Sequence, residues 1–229
     1  MKLALIVPYR DRAEQLKNFI PGIREYLDSY HIDFDLIVAQ QMGRSLFNKG
    51  RLMNAAVREN MGYGYYIFHD VDLFPVRSSP HKEPEHFGYH GMPNYFPIDH
   101  ARIIVKPAQK VAGCVFGVSA QVYSDVNGHS NSYWGWGYED RDFYERLKHY
   151  GVPVEEQGKR GHRSYGQRFF KALDGGSGWV PGFERNEAVF HDIMRNRDED
   201  FKRDGLNSVL YRLDTVHEFD THRQLDIWI

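Results

Sequence analysis

The chain opens with an unbroken apolar run at residues 3–7, closed by the turn-prone stretch Pro8-Tyr9-Arg10-Asp11. A short continuous apolar segment ended by a turn predicts a strand buried on both faces, as in a parallel sheet. Behind it Leu16, Phe19, Ile20, Ile23 and Leu27 recur at helical spacing, with Asp11 and Glu14 as the expected capping pair. Residues 34–39 read as a second apolar strand. A helix is expected from about Lys49, carrying Leu52, Ala55, Ala56 and Val57 on one side. Residues 65–68 form a third strand that runs into His69-Asp70-Val71-Asp72. Strand, helix, strand, helix, strand predicts an α/β fold with a mostly parallel central sheet flanked by helices.

The pattern then dissolves. Residues 76–102 are dominated by Pro, His and aromatic side chains and predict a long irregular connection. Strand character returns at residues 111–119, and residues 140–149 predict a short helix with Phe143 and Leu147 inward. Residues 171–182, containing Gly175-Gly176-Ser177-Gly178, are expected to form a mobile loop. No repeat, low-complexity tract or linker divides the chain, so one domain over residues 1–229 is expected.

Composition narrows the class. The 229 residues are 41% hydrophobic, enough for one substantial core. A net charge of -2 gives no electrostatic footprint for nucleic acid or an acidic membrane. The single cysteine, Cys114, has no internal disulfide partner, which favours a reducing compartment. The opening apolar run is too short for a signal peptide and is followed at once by Arg10, Asp11 and Arg12. No apolar stretch is long enough to span a bilayer. A cytoplasmic protein, or a trimmed soluble catalytic domain, is the expectation.

Five segments carry candidate chemistry. Asp70 and Asp72 follow the third strand, where open parallel sheets bind ligands, and two carboxylates there can hold a hard divalent cation. An ordinary acidic turn is the alternative. Tyr133-Trp134-Gly135-Trp136-Gly137-Tyr138 precedes Glu139 and Asp140 at a helix start. Tryptophans between glycines are poor core material, and flat aromatic faces suit sugar rings. The helix dipole favours ionised carboxylates there, as a general base requires. Capping acids beside a buried tryptophan pair are the plain alternative. Phe47-Asn48-Lys49-Gly50-Arg51-Leu52-Met53-Asn54 sits at a loop-to-helix entry whose basic residues can meet phosphate, with solvated surface charge as an equal alternative, and Pro8 to Arg12 can face a nucleotide. Val189-Phe190-His191-Asp192 offers a metal-ligating imidazole, although an isolated histidine is more often a surface or core residue.

Taken in order, these segments resemble the β-1,4-galactosyltransferase family. Further matching stretches are Leu73-Phe74-Pro75, Phe116-Gly117-Val118-Ser119-Ala120, Asn127-Gly128 and Asp204-Gly205-Leu206-Asn207-Ser208. The resemblance implies a GT-A fold and an inverting transferase using Mn²⁺ and a uridine diphosphate sugar, with a glycan or glycoconjugate as acceptor. It implies Asp72 as metal ligand, with His191 as a further one, and Asp70 nearer the donor's ribose or sugar. Asp140 would be the catalytic base and Glu139 would bond sugar hydroxyls. Trp136 and Gly137 would lie on a small loop closing over the donor. Pro8, Arg10, Arg12, Phe47 and Lys49 match the uridine and phosphate pocket.

Three departures from the family pattern shape further expectations. The positions two and three before His191 are Val189 and Ala188, where the family carries a second metal ligand, leaving His162 as a fallback. The spacing on both sides of His191 is altered, so a lid rebuilt around residues 175–179 is expected. Cys114 stands where galactose-specific members carry a tyrosine, which leaves room for an N-acetyl group and points to UDP-GalNAc as well as UDP-Gal. Acceptor contacts are expected from residues 80–100 and 161–182. Other readings are a non-catalytic sugar- or nucleotide-binding module on the same fold, a nucleotidyltransferase, or a UDP-sugar hydrolase.

Overall fold

The first apolar run lies at the centre of the sheet. In the computed structural model, which describes residues 2–29, 31–75, 98–105, 110–156, 170–172 and 182–229, strand β1 (Leu3–Tyr9) is buried along its whole length. It pairs in parallel with β2 (Asp35–Met42) on one side and β3 (Tyr65–His69) on the other, so that Ile6 faces Ile37 and Phe68. The crossovers are helices α1 (Ala13–Asp28) and α2 (Lys49–Arg58). Strands that are buried on both faces can be apolar without alternation, which is why this third of the chain was legible.

Beyond β3 the direction changes. After β4 (Leu73–Pro75), β5 (Ala101–Val105) and β6 (Val115–Ser119) join antiparallel, β6 against β3 and β5 against β6. Helices α3 (Ala120–Asp125) and α4 (Glu139–His149) follow, and β7 (Val154–Glu156) closes that edge parallel to β5. Strand β8 (Phe170–Ala172) pairs with β4 in a separate two-stranded ribbon. Helices α5 (Phe183–Arg195) and α6 (Arg197–Arg203) lead to a hairpin, β9 (Arg212–Glu218) and β10 (Arg223–Trp228). Strand β10 extends the sheet parallel to β2 and β9 pairs antiparallel outside it. The order is therefore β7-β5-β6-β3-β1-β2-β10-β9. Four of these pairings are parallel and three antiparallel, a more mixed sheet than the alternating first third implied.

Alternate side chains of β1 feed two cores. Ala4 and Ile6 pack with Leu52, Ala55, Phe116 and Phe143 on one face. Leu3, Leu5 and Val7 pack with Phe19, Ile23 and Leu27 of α1 on the other. A third, smaller cluster joins Tyr133 to Phe190, Ile193 and Phe201.

Two local expectations need correction. Asp11 does not cap α1. It takes a left-handed φ of +53°, and Arg12 holds the cap position without a side-chain bond. The tight turn this makes keeps Arg10 and Arg12 near the end of β1 instead of starting the helix one residue earlier. The strand expected from residue 111 begins at Val115, because Cys114 is also left-handed, with φ +59°. Among the described residues no helix is long and apolar enough to cross a membrane.

Candidate active site

The carboxyl end of β3 and the starts of α2 and α4 meet at one place. Asn48 builds the α2 start: its side chain accepts from Arg51 N–H at 2.9 Å and donates to Asn131 O at 2.8 Å, while its own N–H donates to Gln41 Oε1 at 2.8 Å. This fully buried cap fixes where Lys49 leaves the helix. The Lys49 ammonium lies 2.8 Å from Asp70 Oδ1, 3.5 Å from Asp140 Oδ1 and 3.9 Å from Glu139 Oε1. Burial would pull its pKa down, but the charges of Asp140, Asp70 and Glu139 outweigh that and hold it well above the ordinary lysine value.

Asp70 is set by the backbone. Its N–H donates to Cys114 O at 2.9 Å, tying the end of β3 to the residue before β6. Beside it, His69 Nδ1 lies 2.9 Å from Asp70 O, and burial pulls that imidazole down to about 4, so it is neutral at physiological pH.

Glu139 and Asp140 open α4, and both carboxyls are pushed up, first by burial and against the counter-charge of Lys49; Asp140 lies well above the ordinary carboxylate range. Ala112 N–H donates to Asp140 O at 2.9 Å. A Cβ on Gly113 would overlap the Asp140 carboxylate, so that carboxylate rests directly on glycine backbone. Glu139 Oε2 is buried and has no hydrogen-bond partner among the described residues. The helix is anchored from below by the wholly buried pair Asp142–Arg146 at 2.6 Å, with Tyr133 OH donating to Asp142 Oδ2 at 3.1 Å. Tyr133 and Phe201 O take up part of the pair's remaining valence, while Arg146 Nη2 is buried with no hydrogen-bond partner among the described residues.

Asp72 lies at the rim. Its Oδ2 pairs with Arg12 Nη1 at 3.2 Å. Burial and the charge of Asp70 raise its pKa, and Arg12 opposes this. Arg10 donates to Ser45 O at 2.6 Å and its guanidinium stands 5.4 Å from the Phe47 ring, next to Pro8 at the end of β1. The Cys114 thiol is pushed up by burial and feels Asp70, Asp140 and Asp72 against Lys49. The structure thus brings Asp70, Asp72, Glu139, Asp140, Lys49, Arg12 and Cys114 into one electrostatic neighbourhood.

Asp70 and Asp72 lie side by side at the carboxyl end of β3. Two crowded, partly buried carboxylates have the hard oxygen chemistry a divalent cation takes, and extra positive charge would relieve the strain on Asp72. Yet no three His, Cys, Asp or Glu side chains among the described residues are grouped to hold a metal. His191 stands exposed on α5, its ring 5.7 Å from that of Phe190. His162 and residues 175–179 lie outside the described residues, as does most of residues 80–100 and 161–182.

The tryptophan segment takes its shape from glycine. Gly135 and Gly137 have φ of +86° and +98°, and Tyr138 follows at +75°. Gly135 N–H donates to Phe47 O at 2.7 Å, linking this loop to the Arg10 side of the site. Trp136 is 57% exposed and stacks on Phe183 at 5.5 Å. Sequence reasoning missed two contributors, Gly113 and Asn186. An isolated glycine inside an apolar strand run was the available sign for Gly113; Asn186 gave none.

The model for the N-terminal region of glycosyl transferase group 7 matches residues 1–80, and that for the N-terminal domain of galactosyltransferase matches residues 101–167. Mouse β-1,4-galactosyltransferase 7 is 31% identical over 229 residues, covering 93% of this chain. The chain belongs to the β-1,4-galactosyltransferase family. As a member it is also 27% identical to mouse β-1,4-galactosyltransferase 1 over 99% of its length. It spans 54% of that relative and 62% of the mouse type 7 protein. The C. elegans xylosylprotein 4-beta-galactosyltransferase is 34% identical over 64% of the chain and 50% of its own length. Among solved structures, the catalytic domain of Drosophila β-1,4-galactosyltransferase 7 superimposes with a TM-score of 0.71 at 24% identity, covering 100% of this chain and 94% of that one. This family member therefore has the GT-A fold. A mutant of the Drosophila protein was solved with manganese, UDP-Gal and xylobiose.

Proposed function

We propose that this chain is an inverting glycosyltransferase that moves galactose or N-acetylgalactosamine from a UDP-sugar to a sugar hydroxyl. The observation that carries it is the meeting of Asp70, Glu139 and Asp140 on one Lys49 ammonium, with Asp72 beside them. The names of the relatives and the ligands of the Drosophila structure support the same reading.

In this reading Asp140 takes the proton from the acceptor hydroxyl as its oxygen attacks the anomeric carbon. Attack from the face opposite the diphosphate turns an α-linked donor into a β-linked product. Lys49 opposes the burial that raises the Asp140 pKa and so favours its ionised form, and the unpartnered Glu139 Oε2 accepts from a sugar hydroxyl. Arg10 and Arg12 meet phosphate, with Pro8 and Phe47 beside the uridine. The loop bearing Trp136 and Gly137 closes over the donor and excludes water. Asp72 would hold Mn²⁺, with Asp70 close by and His191 as a further ligand. When bound, that ion offsets the negative charge growing on the diphosphate. Cys114, smaller than tyrosine, leaves space at the donor's C2 position for either a hydroxyl or an N-acetyl group.

The test is UDP release from equal UDP-Gal and UDP-GalNAc with Mn²⁺, with and without a panel of sugar acceptors. Acceptor-dependent release from both donors is expected. Strict rejection of UDP-GalNAc overturns the donor assignment. Release that no acceptor stimulates makes the protein a hydrolase, and UDP binding without any release makes it a binding module.

A further inference from the structure

Asn186 is completely buried on α5, 46 residues beyond Asp140 in sequence. A buried amide must find partners, and every side-chain bond this one makes goes to the tryptophan loop. Its Oδ1 accepts from Trp134 N–H at 3.3 Å, and its Nδ2 donates to Trp136 O at 3.3 Å and Gly137 O at 3.1 Å. The loop has no sheet ladder to hold it, and three of its residues are left-handed. The same end of α5 packs closely against it. A Cβ on Gly182 would overlap Trp134 O, Phe183 stacks on Trp136 and touches Gly137, and Tyr138 OH donates to Glu187 Oε1 at 2.6 Å.

The chain just before the loop is held differently. Asn48, Asn54 and Asn131 bond it at 2.7–3.0 Å, and Asp204 accepts from Asn131 N–H at 2.9 Å. Two of the three Asn186 bonds, at 3.3 Å, lie beyond the usual ~2.7–3.2 Å for an N–H donor, and the third, at 3.1 Å, is at the long end of it. Together they define a position without locking it.

We propose that Asn186 is a positioning residue that holds the Trp136 loop where it can receive the donor. The proposal rests on the transferase reading for its kinetic consequence, though not for its structural one. It acts through the loop and touches no reacting atom.

Asn186→Asp keeps the acceptor for Trp134 N–H but sets a carboxylate oxygen against the two carbonyls of Trp136 and Gly137. Asn186→Leu removes all three bonds at similar volume. Each is compared with the same variant carrying Trp136→Phe, so that the Trp136 fluorescence is isolated. In the ligand-free protein, acrylamide quenching of Trp136 should rise in both variants while the far-ultraviolet circular dichroism is unchanged. For the donor, kcat/KM should fall by about 10- to 100-fold, the scale of a small misplacement near the chemistry. Should one variant fail to fold, the other reads the same two quantities. A folded variant with normal quenching overturns the proposal, even if its thermal midpoint drops. Raised quenching with normal donor kinetics overturns it too. Raised quenching in a protein whose parent transfers no sugar supports the latch and removes the transferase reading instead.

Discussion

The two carboxylate pairs of the site are built to different standards. Glu139 and Asp140 are the more enclosed, their side chains 12% and 18% exposed; the Asp140 carboxylate rests on Gly113, its main-chain O accepts from Ala112 N–H, and both sit on a helix anchored by a buried ion pair. Asp70 and Asp72 are less enclosed, with Asp72 held by the half-exposed Arg12. The first pair is fixed before any ligand arrives. The second offers two carboxylates, a site that a bound cation would complete. This division fits the chemistry each would do. A general base gains from rigid placement, because catalysis depends on geometry at the reacting atom. A cation site shared with a diphosphate must open to release product.

The comparison breaks most sharply at Asp140. Asp140→Asn should lower turnover by about 10²–10⁴-fold while Mn²⁺-dependent UDP binding, followed by calorimetry, stays near the parent value. Near-normal turnover would erase the distinction between the pairs.

Lys49 joins the two halves, so its removal sharpens the picture next. Base activity needs the ionised carboxylate, so rate rises as pH passes the Asp140 pKa, which burial has already raised. Lys49→Met removes the opposing cation and should move that acid limb upward by about one to three pH units, the usual influence of a close opposite charge. The kcat profile against pH reads it. A downward move contradicts the account.

Effects on the open pair should be smaller and of another kind. Loss of a group that merely supports a ligand costs about 10–100-fold in metal affinity, and Asp72→Ala should cost at least that in the Mn²⁺ needed for UDP binding. His191→Ala should act in the same titration by about tenfold, the low end of that range, since its ring stands exposed on α5. Equal losses from both would mean that His191 is as fixed a ligand as Asp72.

Much of the fixed half was readable in the sequence. The three parallel strands announce themselves as apolar runs, and two glycine-flanked tryptophans before paired acids have few structural uses. The mixed edge was less legible. Strand β9 is exposed on most positions and its residues Arg212 to Glu218 alternate weakly, so no hydrophobic signal marks it. The polar framework was hidden for another reason. Asn48, Asn54, Asn131 and Asp204 are scattered over 156 residues and look like surface residues until the fold brings them together. Asn186 is the same case on a helix whose neighbours are mostly exposed. His191 was read from its motif, but a motif carries no information on where its helix places the ring.

The most direct measurement is a crystal structure with Mn²⁺ and UDP. The account predicts the ion on Asp72, with the Asp140 carboxylate still on Lys49 and Gly113 and facing the same cavity. An ion bound away from Asp72, or Asp72 and Asp140 opening onto separate surfaces, would contradict it.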